Sequence, residues 1–242
     1  MQIQLQPAFI LHQRTYSETS LLLEVFSINY GKVGIIAKGV KRRSSKYKSL
    51  LQIFNPLLLS WVGSGELKTL TGCESGGHGF YFSGKRLVYL VYINEVLMRL
   101  LKRCDPHPSL FDLYKEALCG LSVSNLNELE LQSVLRNFEL ALLKELGYAI
   151  DLYSETNGDK INKFCSYFYI PNIGFRDIYY IEHKDKAISV TISGENIIAL
   201  SDSKITVYSQ EQMQEIKRLL RFSLQNVLGN KPINSRMLVF KE

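Results

Sequence analysis

Near residue 84 the apolar residues of this chain change their spacing, and that change limits the folds open to it. Before it, the chain reads as short strands separated by glycines. Ala8–Tyr16, Ser20–Ser27, Lys32–Lys38, Leu57–Val62 and Glu66–Thr71 are rich in β-branched or aromatic residues, with Gly31, Gly39, Gly63 and Gly65 between them. Five short strands in so little chain suit a small closed barrel, which leaves no open sheet edge. By strand number and length the analogy is to the five-stranded OB-fold.

From Gly84 the period becomes helical. Leu87, Leu90, Asn94, Leu97 and Leu101 form one stripe, so a helix is expected over 84–103, broken by Pro106 and Pro108. A second helix follows over about 109–121. A third runs over 128–146, with Asn127 and Glu130 spaced as a capping box and Gly147 as its stop. Residues 151–207 lose the period. They are rich in Tyr, Ile and Asn, alternate in Ala187–Ser193, and read as a small irregular β insertion. Ser209 and Gln212 then cap a last helix that Gly229 ends, with Met213, Ile216, Leu220, Leu224 and Val227 inward. The fold expected is α+β: an OB barrel over 1–80, a helical domain made of 81–150 and 208–242, and the insertion 151–207 within it.

The motifs of common enzymes are missing from the sequence: no Gly-x-Ser-x-Gly, no phosphate-binding G-x-x-x-x-G-K-[ST], no His-Glu-x-x-His and no G-x-G-x-x-G. Cys73, Glu74 and His78 lie close together, but the glycines around them mark a flexible exit from the barrel. Cys73, Cys104, Cys119 and Cys165 form no C-x₂₋₄-C hook and do not pair with His12, His78, His107 or His183 at ligand spacing. All four are expected to pack as small buried or half-buried residues. No catalytic residue, metal or cofactor is expected. No apolar run approaches the roughly 18 residues that cross a bilayer, and a cytoplasmic protein without membrane contact is the expectation.

Charge is the informative property. Between Val25 and Gly65 there are seven Lys/Arg and no acid, whereas 84–150 balances at eight against eight and 151–203 holds five bases against eight acids. Residues 204–242 carry seven bases and three acids. Six cations crowd into Lys38–Lys48: Lys38, Lys41, Arg42, Arg43, Lys46 and Lys48. Like charges this dense repel unless a polyanion screens them, and a nucleic acid does so while releasing its condensed counterions. Ser44, Ser45 and backbone N–H groups can add phosphate hydrogen bonds, and Tyr47 could stack on a base. A solvated loop is the bland alternative. The acid-free surroundings and the barrel favour nucleic acid over it, and no amphipathic face accompanies the charges to favour a membrane.

Several stretches in order resemble the RecO family of recombination mediators: Arg14–Ser20, Ala37–Arg43, Trp61–Leu67, Tyr92–Leu97, Pro106–Phe111, Leu135–Leu140 with Leu146–Tyr148, and Leu228–Arg236. The resemblance implies an OB-fold, a helical domain and a small zinc-finger-like insertion in a bacterial, nucleoid-associated protein. It implies binding to single- and double-stranded DNA, annealing of complementary strands and, with RecR, loading of RecA onto strands coated by single-strand-binding protein. Family members often carry paired zinc-binding cysteines in the insertion. Here only Cys165 lies there, so no zinc is expected, and packing among Phe164, Tyr167, Tyr169, Phe175 and Tyr179 must hold it. The resemblance also implies that the acidic C-terminal tail of single-strand-binding protein docks on the helical domain. A carboxylate tail needs an apolar pocket with a cationic rim. Arg136 is the first candidate for that rim, with Lys217 and Arg221 next; an exposed ion pair is the alternative role for Arg136. Two other functions stay open: a general RNA- or ribosome-binding OB protein, and a hydrolase built on Cys73 and His78.

Overall fold

The computed structural model describes residues 2–180, 188–202, 207–229, 232–235 and 237. Ala187, His183 and, in the C-terminal family-like stretch, Asn230, Lys231 and Arg236 lie outside them. The chain forms two compact units, 1–118 with 232–242, and 119–231.

In the first unit, β1 (Gln2–Thr15), β2 (Leu21–Ser27), β3 (Gly31–Ala37), β4 (Leu57–Val62) and β5 (Leu67–Ser75) close into a barrel of order β1-β2-β3-β5-β4. Only the β3–β5 pair is parallel. This is the expected OB-like barrel. Its first strand starts earlier than Ala8, because one 14-residue strand serves two neighbours: Ala8–Thr15 pairs with β2 and Gln2–Ala8 with β4. A register shift at Leu5, where φ is 48°, bends the half of the strand that pairs with β4, and the change of partner falls at Ala8.

The uninterrupted apolar run Ala8-Phe9-Ile10-Leu11 is buried on both faces. Ala8 and Ile10 point into the barrel core with Leu23, Val25, Val33, Ile35, Leu59 and Trp61. Phe9 points out, with Phe26 of β2, against helices α1 (Gly84–Leu100) and α2 (Pro108–Ser122), where Phe111 and Tyr114 pack edge-on or tilted at 5.1–6.5 Å. Polar links fix the same contact. The Asn94 amide donates to the Leu11 carbonyl at 2.8 Å and accepts from the Tyr114 hydroxyl at 2.7 Å. Helix α1 ends at Leu100, short of the expected 103, because the chain turns extended at Leu101 and Arg103 bridges to Lys32 of β3. Gly31 makes this approach possible: its φ is +61°, and a Cβ there would lie 2.0 Å from the Asp105 carbonyl oxygen. Leu87, expected on the inner stripe of α1, is exposed.

The second unit contains α3 (Glu128–Glu145), a three-stranded antiparallel sheet β7-β6-β8, α4 (Gly194–Ser201) and α5 (Gln210–Leu228). The strands are β6 (Ser166–Ile170), β7 (Gly174–Asp177) and β8 (Val190–Ser193). Both expected capping boxes are formed, Asn127 with Glu130 and Ser209 with Gln212, and Gly147 and Gly229 take positive φ at the helix ends. Val227, expected inward, is half-buried. The insertion differs from expectation in two ways. It includes α4, whose first turn is held from afar: Glu215 of α5 accepts from the Ser193 N–H, the Ser193 hydroxyl and the Asn196 amide at 2.7–2.9 Å. And only Tyr167, Tyr169 and Phe175 form its aromatic core, while Phe164 and Tyr179 are 85% and 84% exposed. The cysteines also divide. Cys73 is buried and Cys165 half-buried, but Cys104 and Cys119 are exposed, against expectation. No helix of the described residues is long and apolar enough to cross a membrane.

Candidate nucleic-acid interface

The basic segment belongs to the long turn-rich connection from β3 to β4. Its direction is set by apolar residues placed between the charges. Val40 and Leu51 insert into the barrel core, and Tyr47, Leu50 and Ile53 pack against it. Short backbone bonds tighten the chain between these anchors: Arg42 N–H to Gly39, Ser45 N–H to Arg42, and Leu51 N–H to Tyr47. With those residues turned in, Lys38, Lys41, Arg42, Arg43, Lys46 and Lys48 are all left exposed. None of the six is ion-paired to a described residue. Tyr47 is a loop anchor: it is half-buried, its hydroxyl lies 3.4 Å from the Thr71 carbonyl oxygen, and the Lys46 ammonium sits 5.1 Å from its ring.

Lys32, the seventh cation of the acid-free stretch, plays no part in this surface. It is buried, and its ammonium donates to the Met98 carbonyl at 2.6 Å in the last turn of α1, the negative end of the helix dipole. Burial, then Arg103, lowers its pKa, and Glu24 partly offsets them.

The barrel register brings a second loop to the same end. Thr15, Leu21 and Ala37 form one row across β1, β2 and β3, so the β1–β2 turn and the basic connection leave the barrel side by side. The Lys41 N–H donates to the Thr19 carbonyl at 3.0 Å and ties them. The outer face of β2 and β3, which OB-folds commonly offer to ligands, is taken up within this unit. Phe26 meets Phe111, Arg103 pairs with Glu24 at 2.8 Å, and Arg103 crowds Gly34. The loop end is open.

The three residues expected at a partner site converge in the second unit, with different roles. Arg136 is 3% exposed, its guanidinium 2.7 Å from the Glu139 carboxylate in an ion pair that is not aligned as a hydrogen bond. Lys217 of α5 feels both: burial first, then Arg221 and Arg136, lower its pKa, while Glu128 and Glu139 raise it. Arg136 is therefore an interior charge between α3 and α5, neither an exposed pair nor an open rim. A groove of about 510 Å³ opens on an adjoining face of α3, lined by Asn137, Leu140, Ala141, Lys144, Leu152, Leu200 and Tyr208 among others. Its cation is Lys144, which the sequence reading missed. The available signal was its place beside Leu140 and Ala141 on the helix surface.

Cys73 does not suit nucleophilic chemistry. Its thiol lies in the barrel core and is pushed up to about 11 by burial, then by Glu74, whereas a reactive cysteine needs a depressed pKa. Among the described residues no three His, Cys, Asp or Glu side chains gather as a metal site.

Two family models cover the chain. Recombination protein O N terminal matches residues 1–76 and Recombination protein O C terminal matches residues 81–237. Among similar proteins, the DNA repair protein RecO of Aliivibrio fischeri is 40% identical over 235 residues, 97% of this chain and 94% of its own. That of Coxiella burnetii is 37% identical over 241 residues, 98% of each chain. That of Vibrio cholerae is 40% identical over 235 residues, 97% of this chain and 92% of its own.

Proposed function

Since the chain belongs to the RecO family of DNA repair proteins, we propose that it is a non-enzymatic recombination mediator that grips DNA by its phosphates through Lys38–Lys48. In this reading it binds single and double strands, anneals complementary strands and, with RecR, helps load RecA onto strands coated by single-strand-binding protein in the bacterial cytoplasm. The observation that carries the reading is the set of six exposed cations, none ion-paired to a described residue, on a connection pinned at Val40, Tyr47 and Leu51. A loop so anchored presents its charge at small ordering cost, and each phosphate it neutralises contributes about 0.9 to the slope of log K against log salt.

A mediator also needs an address. The apolar groove beside Lys144 offers an apolar floor with one cation, although Asp151 and Asp202 also line it, and we assign the apolar end of the tail of single-strand-binding protein to it. Lys217, Arg221 and the interior Arg136 form a local cationic cluster in the same unit.

Annealing of complementary oligonucleotides coated with single-strand-binding protein tests the function. The expected result is acceleration by the intact chain. Tight RNA binding with no annealing would instead favour a general RNA-binding protein. Replacing Lys41, Arg42 and Arg43 with Ala is expected to weaken binding to all DNA sequences alike and to flatten the salt slope by up to about 2.7. An unchanged slope would remove the loop from the interface.

A further inference from the structure

We propose that Tyr16 is the base-stacking residue of this surface and gives it a preference for unpaired strands over duplex. The inference rests on the phosphate-binding reading of Lys38–Lys48 and adds a ring to it. Phosphate contacts alone do not distinguish a single strand from a duplex by its bases, whereas an aromatic face gains energy only from a base that is free to stack. The loop's own tyrosine is poorly placed for this, because Tyr47 is packed on the barrel with Lys46 at its ring.

Tyr16 is the exposed aromatic residue among the described barrel residues, at 56%. It follows directly on Thr15, which shares the cross-strand row with Leu21 and Ala37. Tyr16 and Lys38 thus leave neighbouring positions two strand spacings apart, about 10 Å. The turn that carries Tyr16 is closed on itself: the N–H groups of Tyr16 and Ser17 both donate to the Ser20 carbonyl, at 3.0 and 3.4 Å. The Lys41 bond to Thr19 then holds this turn against the cationic loop. An exposed ring on a braced turn beside six outward cations is the combination of stacking platform and positive groove that single-strand binders use. Glu18, exposed in the same turn, opposes phosphate, so the strand's charge is drawn toward Lys38–Lys48 and its bases toward Tyr16.

The test compares the full chain with Tyr16→Ala on three probes of equal length, an oligothymidylate, an abasic strand and a duplex, each titrated across salt. Tyr16→Ala is expected to lower affinity for oligothymidylate about ten-fold, with the abasic strand, the duplex and every salt slope unchanged. Tyr16→Phe is expected to retain binding. Tyr16→Trp adds an exposed indole to a chain whose own Trp61 is buried, and its fluorescence is expected to quench on oligothymidylate and not on the abasic strand. Unchanged oligothymidylate affinity in Tyr16→Ala, or an equal loss on all three probes, overturns the inference while leaving the cationic loop standing. Salt-independent binding by the unaltered chain overturns the loop reading and this inference together.

Discussion

Glu95 illustrates how a single residue in a family-like stretch can serve the fold. It projects from α1 and accepts from the Ser235 hydroxyl at 2.6 Å, the Ser235 N–H at 2.7 Å and the Asn234 N–H at 2.9 Å, with Arg99 beside it. Arg99 also donates to the Pro232 carbonyl at 2.7 Å. Burial pushes the carboxyl up, but the bonds from Ser235 and Asn234 and the charge of Arg99 outweigh it, and the group lies below the usual carboxylate range. A depressed pKa in the folded state stabilises above the unfolded value near 4.5 and is lost as pH falls through the folded one. Glu95→Gln is therefore expected to cost about 2 kcal/mol at pH 7 and progressively less as pH falls below the unfolded value near 4.5. Urea unfolding at pH 7 and along a series of acid pH values checks this, and an equal cost throughout would show that charge plays no part. The cysteines give a second check. The Cys73 thiol, buried and raised to about 11, is expected to resist alkylation at pH 8 until the chain unfolds, while exposed Cys104 and Cys119 label quickly. Fast labelling of Cys73 in the folded chain would contradict its place in the core.

At the scale of elements, legibility in the sequence followed the range of the forces involved. Capping boxes join residues three apart, so Asn127–Glu130 and Ser209–Gln212 could be read directly. The charge of Lys38–Lys48 is equally local. The two-sided burial of β1 could not be read so directly, because its partners are far along the chain: Phe9 is covered by Phe111, and the Leu11 carbonyl is bound by Asn94, 83 residues away. Helix α4 was hidden for the same reason, since its start depends on Glu215. Periodicity also could not separate Tyr167 and Phe175, which are buried, from Phe164 and Tyr179, which are not. Within the site the cations were legible but their anchors were not, because Val40 and Leu51 gain meaning only once the barrel closes over them. Leu51→Ala is accordingly expected to cost about 3 kcal/mol and leave a cavity under the loop. It should also weaken DNA binding at constant salt slope, since all six cations remain while their presentation loosens. Stability and affinity that both stay at the parent values would show that the loop is not held by its core contacts.

At the scale of the whole molecule, the proposed function requires two separable activities, one in each compact unit. In that proposal the barrel unit is to hold phosphate through Lys38–Lys48, and the 119–231 unit is to offer the apolar groove whose cation is Lys144. Charge differs between the two: the 25–65 stretch has no acid, while 151–203, which lines part of the groove, has an excess of acid, so the groove is suited to the tail's apolar end and relies on Lys144 for its charge. Lys144→Glu should therefore abolish capture of the tail peptide of single-strand-binding protein while leaving the salt slope of DNA binding unchanged. Lys41, Arg42 and Arg43 replaced by Ala should do the reverse. Annealing then separates them: on naked complementary strands only the loop variant should be slow, whereas on coated strands both should be. Lys144 is in the last turn of α3, where a cation also favours the helix dipole, so Lys144→Gln alongside the charge reversal controls for helix stability. If Lys144→Glu anneals coated strands at the parent rate while peptide capture is lost, the groove binds the tail without serving the reaction. If peptide capture survives as well, the tail docks elsewhere.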